Sequence, residues 1–179
     1  MVFGGCGARM QITLIDFSNP DAVLPWQAID DRVMGGASLS RLRHDQAGYA
    51  VFDGEVSFEN GGGFASVRNS QFAIEPFEAD QLLLVVRGDG KRYKLNLRTD
   101  EGFDGINYQT VFQPPGGEWS VITLPLADFA PTFRGRVLAD APALDPSNVR
   151  QIGLMIGDRQ EGAFSLACTQ IGVSVPAGA

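Results

Sequence analysis

Residues 82–99 read LLLVVRGDGKRYKLNLRT, and the interpretation of this stretch decides the fold. An aliphatic run from Leu82 to Val86 gives way to Arg87-Gly88-Asp89-Gly90. Asp-Gly between two extended runs is a strong hairpin signal, because the turn demands positive φ. Beyond it, Tyr93, Leu95 and Leu97 alternate with Lys94, Asn96 and Arg98. That is the period of a half-buried strand. The first arm, 81–87, is continuously apolar and predicts a strand buried on both faces. The stretch therefore predicts two antiparallel strands joined by a tight turn.

The same grammar extends outward. Strands are expected over 11–17, 37–43, 49–59, 63–69, 106–113, 118–124, 151–157 and 164–173, with a kink at Asp53-Gly54. Pro125 ends the strand that contains Trp119, since proline cannot donate to a ladder. Trp119 lies on the apolar phase of its strand, which favours the core. A short helical turn is expected over 126–129 and a Pro-rich loop over 139–147. No stretch sustains a helical period. Short strands between Gly, Pro and Asp turns predict an all-β fold, a two-layer antiparallel sandwich. The expected domain is single and spans 11–175. Residues 1–10 read as a disordered tail or a mis-assigned start, with Met10 as the alternative first residue, and 176–179 as a frayed end.

Composition narrows the function. The chain has 179 residues and a formal net charge of −7. An acidic surface opposes nucleic-acid binding and attraction to anionic lipid. No apolar run is long enough to span a bilayer, and the start lacks the pattern of a secretion signal. A cytoplasmic protein without direct membrane insertion is expected. The two cysteines, Cys6 and Cys168, form no framework or zinc spacing. The one histidine, His44, sits among polar residues and reads as a loop side chain. No metal or cofactor is expected.

Two motifs mix Gly, Arg and acid: DDRVMGG at 30–36 and ENGGGFASVR at 59–68. Gly permits bends and close approach, and Arg supplies a rigid fork of donors. Such loops either lock to each other or present a polar site. The expected partner site combines Asp31, Arg32, Asn60, Arg68, Arg134, Arg136 and Asp158 into one charged pocket. Gly35, Gly36 and Gly63 would shape it, and Trp26 and Phe64 would add apolar contact. Alternatives are a sugar platform on Trp26 and Tyr108, and a hydrolase using carboxylates such as Asp31 and Asp158. Acids in turns more often accept backbone N–H bonds, which ranks the hydrolase last.

The motifs together resemble the complex I intermediate-associated protein family. The resemblance rests on Trp26 with residues 30–38, on 52–68 and on 87–93. It continues through Tyr108-Gln109, Trp119 with LPLADF at 124–129, FRGR at 133–136 and IGLMIGDRQEGAF at 152–164. It covers roughly Asp16 to Ile171. It implies a galactose-binding-like jelly roll and a non-catalytic role in assembling respiratory complex I through a protein partner, such as a membrane respiratory-complex subunit. The start lacks an Arg- and Ser-rich amphipathic presequence, which points to a bacterial member.

Overall fold

The computed structural model describes residues 8–71, 79–102 and 104–176. The strands are β1 (Arg9–Asp16), β2 (Trp26–Ala28), β3 (Leu39–Asp45), β4 (Tyr49–Val56), β5 (Ala65–Asn69), β6 (Gln81–Arg87) and β7 (Tyr93–Arg98). They continue as β8 (Asn107–Phe112), β9 (Trp119–Pro125), β10 (Ala130–Phe133), β11 (Arg136–Val137), β12 (Gln151–Ile156) and β13 (Gly162–Pro176). The few helical segments are single 3-10 turns, including one at Leu126–Asp128. Cys6 and most of the expected N-terminal tail lie outside the described residues.

Two antiparallel sheets form the sandwich. The first runs β3-β4-β13-β6-β9, and β1 also pairs with β13. The second runs β11-β10-β8-β7-β12-β5-β2. β13 is the spine of the first sheet. Its first half pairs with β4, from Gly162↔Val56 to Cys168↔Ala50. Its second half pairs with β1, from Gln170↔Asp16 to Pro176↔Arg9. β6 lies along its other edge.

Residues 82–99 do not form a hairpin. β6 pairs with β13 and β9, whereas β7 pairs with β12 and β8 in the opposite sheet. The segment 88–92 crosses between layers. Its turn chemistry is still used: Asp89 Oδ1 accepts the Lys91 amide at 3.1 Å, and Gly90 takes φ of 86°. Asp89 Oδ2 meanwhile accepts the Ser165 amide at 2.9 Å and the Tyr93 hydroxyl at 3.0 Å, which staples the crossing to β13. The crossing lets both apolar stripes share one core. Leu82, Leu84 and Val86 enter from one sheet, and Tyr93, Leu95 and Leu97 from the other, all fully buried. β6 is buried on one face only; its other face is half-buried.

Two further expectations are corrected. β4 is one uninterrupted strand, not two halves around a kink. Gly54 is there because a Cβ would stand 2.0 Å from the Leu39 carbonyl oxygen of β3. Trp119 is not in the core. Its phase along β9 puts it with Val121 on the outer face, where they are 40% and 60% exposed.

Candidate functional site

The two Gly-rich loops are locked to each other by buried carboxylates. Asp31 opens a 3-10 turn, Asp31–Met34, and is fully buried. Its Oδ1 accepts the Ser38 amide at 2.9 Å. Its Oδ2 accepts the Ser38 hydroxyl at 2.5 Å, the Gly63 amide at 2.7 Å and the Phe64 amide at 3.2 Å. Asp30 repeats the device, taking the Ser40 amide at 3.0 Å, the Ser40 hydroxyl at 2.5 Å and the Ser66 amide at 2.9 Å. Burial works to raise the Asp31 pKa, but the four donors outweigh it and hold the carboxyl below its ordinary range. Two glycines make room for this carboxylate. A Cβ on Gly36 would stand 2.4 Å from Oδ1, and one on Gly62 would stand 2.5 Å from Oδ2.

This clasp presents an apolar tip. Val33 and Met34 project from the locked turn, 63% and 66% exposed, and Phe58 is 42% exposed on the facing loop. Ser38 ties the two loops again, since the Ser57 amide donates to its hydroxyl at 2.9 Å. A cleft of ≈ 360 Å³ lies beside them, lined by Phe58, Gly62, Gly63 and Arg159. The turn at 157–161 closes its flank. A Cβ on Gly157 would lie 3.7 Å from Phe64 Cβ. In that turn Asp158 and Arg159 hold φ of 57° and 59°, and Asn60 across from them holds 55°. Non-glycine residues at positive φ cost on the order of 1 kcal/mol each and persist where the surroundings impose them. Asp158 is tied to Lys94 of β7 at 2.9 Å.

The expected single pocket is therefore only partly assembled. Asp31, Arg32, Gly35, Gly36, Asn60, Gly63, Phe64 and Asp158 belong to one end of the sandwich. Within that group Asp31 is sealed, with both oxygens occupied by donors, so it offers no partner contact and no carboxylate for hydrolysis. Trp26 is buried and packs on Phe17, with ring centroids 6.0 Å apart. Tyr108 is also buried, and its hydroxyl donates to the Pro142 carbonyl oxygen at 2.8 Å. The sugar platform proposed on these two rings does not exist.

Arg134 and Arg136 lie elsewhere. They belong to a two-residue hairpin in which Phe133 pairs with Arg136, and Arg134 and Gly135 take φ of 49° and 79°. FRGR is thus turn chemistry, because a primed hairpin turn needs positive φ at both central residues. Arg134 is exposed and paired to Asp104 at 2.7 Å. β11 stands five strands along from β5 in the sheet order, roughly 24 Å at the usual strand spacing. Arg68 sits mid-strand in β5, half-buried. Burial, with Arg98 nearby, lowers its pKa to about 10, and Asp100 partly offsets this.

Sequence reasoning missed the exposed tip. Its signal was present: Val33 and Met34 stand between turn residues, where no strand or helix phase would bury them. It also missed a polar row across the second sheet. The registers align Gln27, Arg68, Gly153, Asn96 and Gln109 on neighbouring strands. Gln109 Nε2 donates to Asn96 Oδ1 at 2.8 Å within that row. His44 is on β3, not in a loop, with Nε2 3.1 Å from the Phe17 carbonyl oxygen. Among the described residues, no three His, Cys, Asp or Glu side chains converge as a metal site, and no helix is long and apolar enough to cross a membrane.

The family model described as complex I intermediate-associated protein 30 matches residues 15–168. The chain belongs to that family. An uncharacterized protein of Schizosaccharomyces pombe is 28% identical over 82% of this chain and 76% of its own length. The mitochondrial complex I intermediate-associated protein 30 of Drosophila melanogaster is 25% identical over 89% of this chain and 62% of its own length. The probable Caenorhabditis elegans counterpart is 29% identical over 77% of this chain, which spans 46% of that protein. Among solved structures, a family 11 carbohydrate-binding module from Clostridium thermocellum, in complex with a β-1,3-1,4-mixed-linked tetrasaccharide, superposes with a TM-score of 0.68 at 15% identity, over 91% of this chain and 94% of that one. An agarase superposes with 0.62 at 14% identity, over 94% of this chain and 25% of that one. These likenesses show the fold, a galactose-binding-like β-sandwich.

Proposed function

We propose that this family member is a non-catalytic module that holds a protein partner during assembly of respiratory complex I, using the clasped loop end. One observation carries the reading. Val33, Met34 and Phe58 are exposed on loops that Asp31 has already fixed, so a partner would bury them without first ordering the loops. Rigid apolar anchors lower the entropic cost of association. Arg32 and Arg159 flank the tip, which suits a partner surface with an apolar centre and an acidic rim. The names of the Drosophila and nematode relatives support the assembly role. A cytoplasmic location belongs to the same reading.

The test is native-gel fractionation of membranes from the source cells. The tagged chain should co-migrate with partly assembled complex I, and a Met34→Asp/Phe58→Asp variant of unchanged melting temperature should not. Co-migration that survives this double substitution, or no co-migration by wild type, rejects the proposal.

A sugar ligand is the second reading, favoured by the amide and guanidinium row of Gln27, Arg68, Asn96 and Gln109. Such a row can exchange hydrogen bonds with hydroxyl groups. It holds no aromatic ring to stack a pyranose face, and this ranks it below the protein partner. Titration with mixed-linked and simple β-glucans decides it, because absence of binding at millimolar sugar removes the reading.

A further inference from the structure

The edges of the two sheets are not equally protected. A free edge offers unpaired backbone groups to any passing strand, and proteins blunt such edges with charge, shortness or bulges. β3 carries Arg41 and Arg43, paired to Asp53 at 2.9 Å and 3.0 Å. β2 has three residues and β11 has two. β1 has charged ends at Arg9 and Asp16 and a register shift between Thr13 and Ile15. β9 has none of these devices, and its one other edge breaker, Pro125, stands at its very end. Its seven residues, WSVITLP, contain no charge. Among the described residues it pairs with β6 alone.

The outer face of β9 is also built as a contact. Trp119 is braced from beneath. The Tyr49 ring meets it edge-on with centroids 5.2 Å apart, and the Arg87 guanidinium lies 5.0 Å from its ring centre. Arg87 Nη2 also donates to the Tyr49 hydroxyl at 3.0 Å. The indole is therefore fixed and 40% exposed, with Val121 beside it 60% exposed. Trp, Tyr and Arg are the residue types that dominate interface energetics.

We infer that β9 is a self-association edge, on which a second copy of this chain lays its own β9 antiparallel. The strand is complementary to itself. With a two-fold axis at Ser120, Trp119 of each copy faces Val121 of the other on one side of the joined sheet. Aromatic and β-branched residues are favourable cross-strand partners. Glu118 then faces Ile122, so no charge meets its like. The first sheets of the two copies become one continuous sheet, and the clasped loop ends play no part in the contact.

Sedimentation velocity on the full chain tests this. Wild type should shift from monomer to dimer between about 1 and 200 µM, because association follows mass action. Val121→Lys places a charge on the edge and should remain monomeric throughout, with an unchanged melting temperature. If that variant fails to fold, Trp119→Lys, the exposed other half of the same cross-strand pair, serves instead. Hydrogen exchange at residues 118–122 should slow in the dimer. A wild-type monomer at the highest concentration overturns the inference, as does a dimer that persists in the lysine variant.

Discussion

The carboxylate of the fully buried Asp31 and the backbone amide of the half-buried Gly63, 32 positions apart, are joined at 2.7 Å. Asp31→Ala removes the acceptor for four donors at once. Leaving buried donors unsatisfied costs about 1–3 kcal/mol per group, reduced where the loop relaxes toward water. We expect a loss of about 3 kcal/mol in urea unfolding. Gly36→Ala should cost about 2 kcal/mol by driving a methyl into the same carboxylate. A change below 1 kcal/mol in both variants would remove the clasp as a structural element.

Acid should act on this device and on a second one. Asp31 and Asp53 both have carboxyl groups held below the ordinary range. In each case burial opposes the shift; donors overcome it at Asp31, and Arg41 and Arg43 overcome it at Asp53. The unfolded chain therefore binds more protons than the folded one near the carboxylate range. Their stabilisation is complete above roughly pH 5 and is lost as pH falls through and below pH 4. Melting temperature should be flat from pH 7 to 5 and fall below it, and the fall should be shallower in Asp31→Ala.

The two tryptophans should separate by fluorescence. Trp26 is buried and Trp119 is exposed. Trp119→Phe should leave a blue-shifted emission resistant to iodide, and Trp26→Phe should leave a red-shifted, quenchable one. The reverse pattern would place β9 in the wrong phase.

The Arg134–Asp104 pair is exposed, so it contributes little. Arg134→Ala should alter stability by less than about 0.5 kcal/mol and leave co-migration with complex I intermediates intact. Loss of that co-migration would extend the partner surface to the far hairpin.

Cys168 is buried and its thiol is pushed up to about 12 by burial. In a Cys6→Ser background it should resist a disulfide reagent at pH 8 until the protein unfolds. Rapid reaction in native buffer would show that the core opens there.

The strand positions and the sandwich were legible because period-2 alternation and Gly/Pro/Asp punctuation are local signals. The pairing of strands was not. Asp89-Gly90 reads as a hairpin turn, yet the same residues serve a crossing between layers, and only the core shared by Leu84 and Leu95 selects the crossing. The tryptophans were exchanged for a related reason. Phase along β9 separates Trp119 and Val121 from Ile122, but not which side the other sheet covers. The locking role of the Asp31 loop was one of two readings the residues allowed. The grouping with Arg134 and Arg136 failed because distance across a sheet depends on strand order, which spacing along the chain does not encode.

The long strand β13 has a consequence for biogenesis. Its last residues supply the partner of β1, so β1 leaves the ribosome long before the strand it pairs with. Until then β1 and the neighbouring edge of β6 are open to foreign strands. The nascent chain should therefore depend on holdase chaperones until β13 has emerged, and ribosome-stalled chains ending before residue 162 should be protease-sensitive throughout.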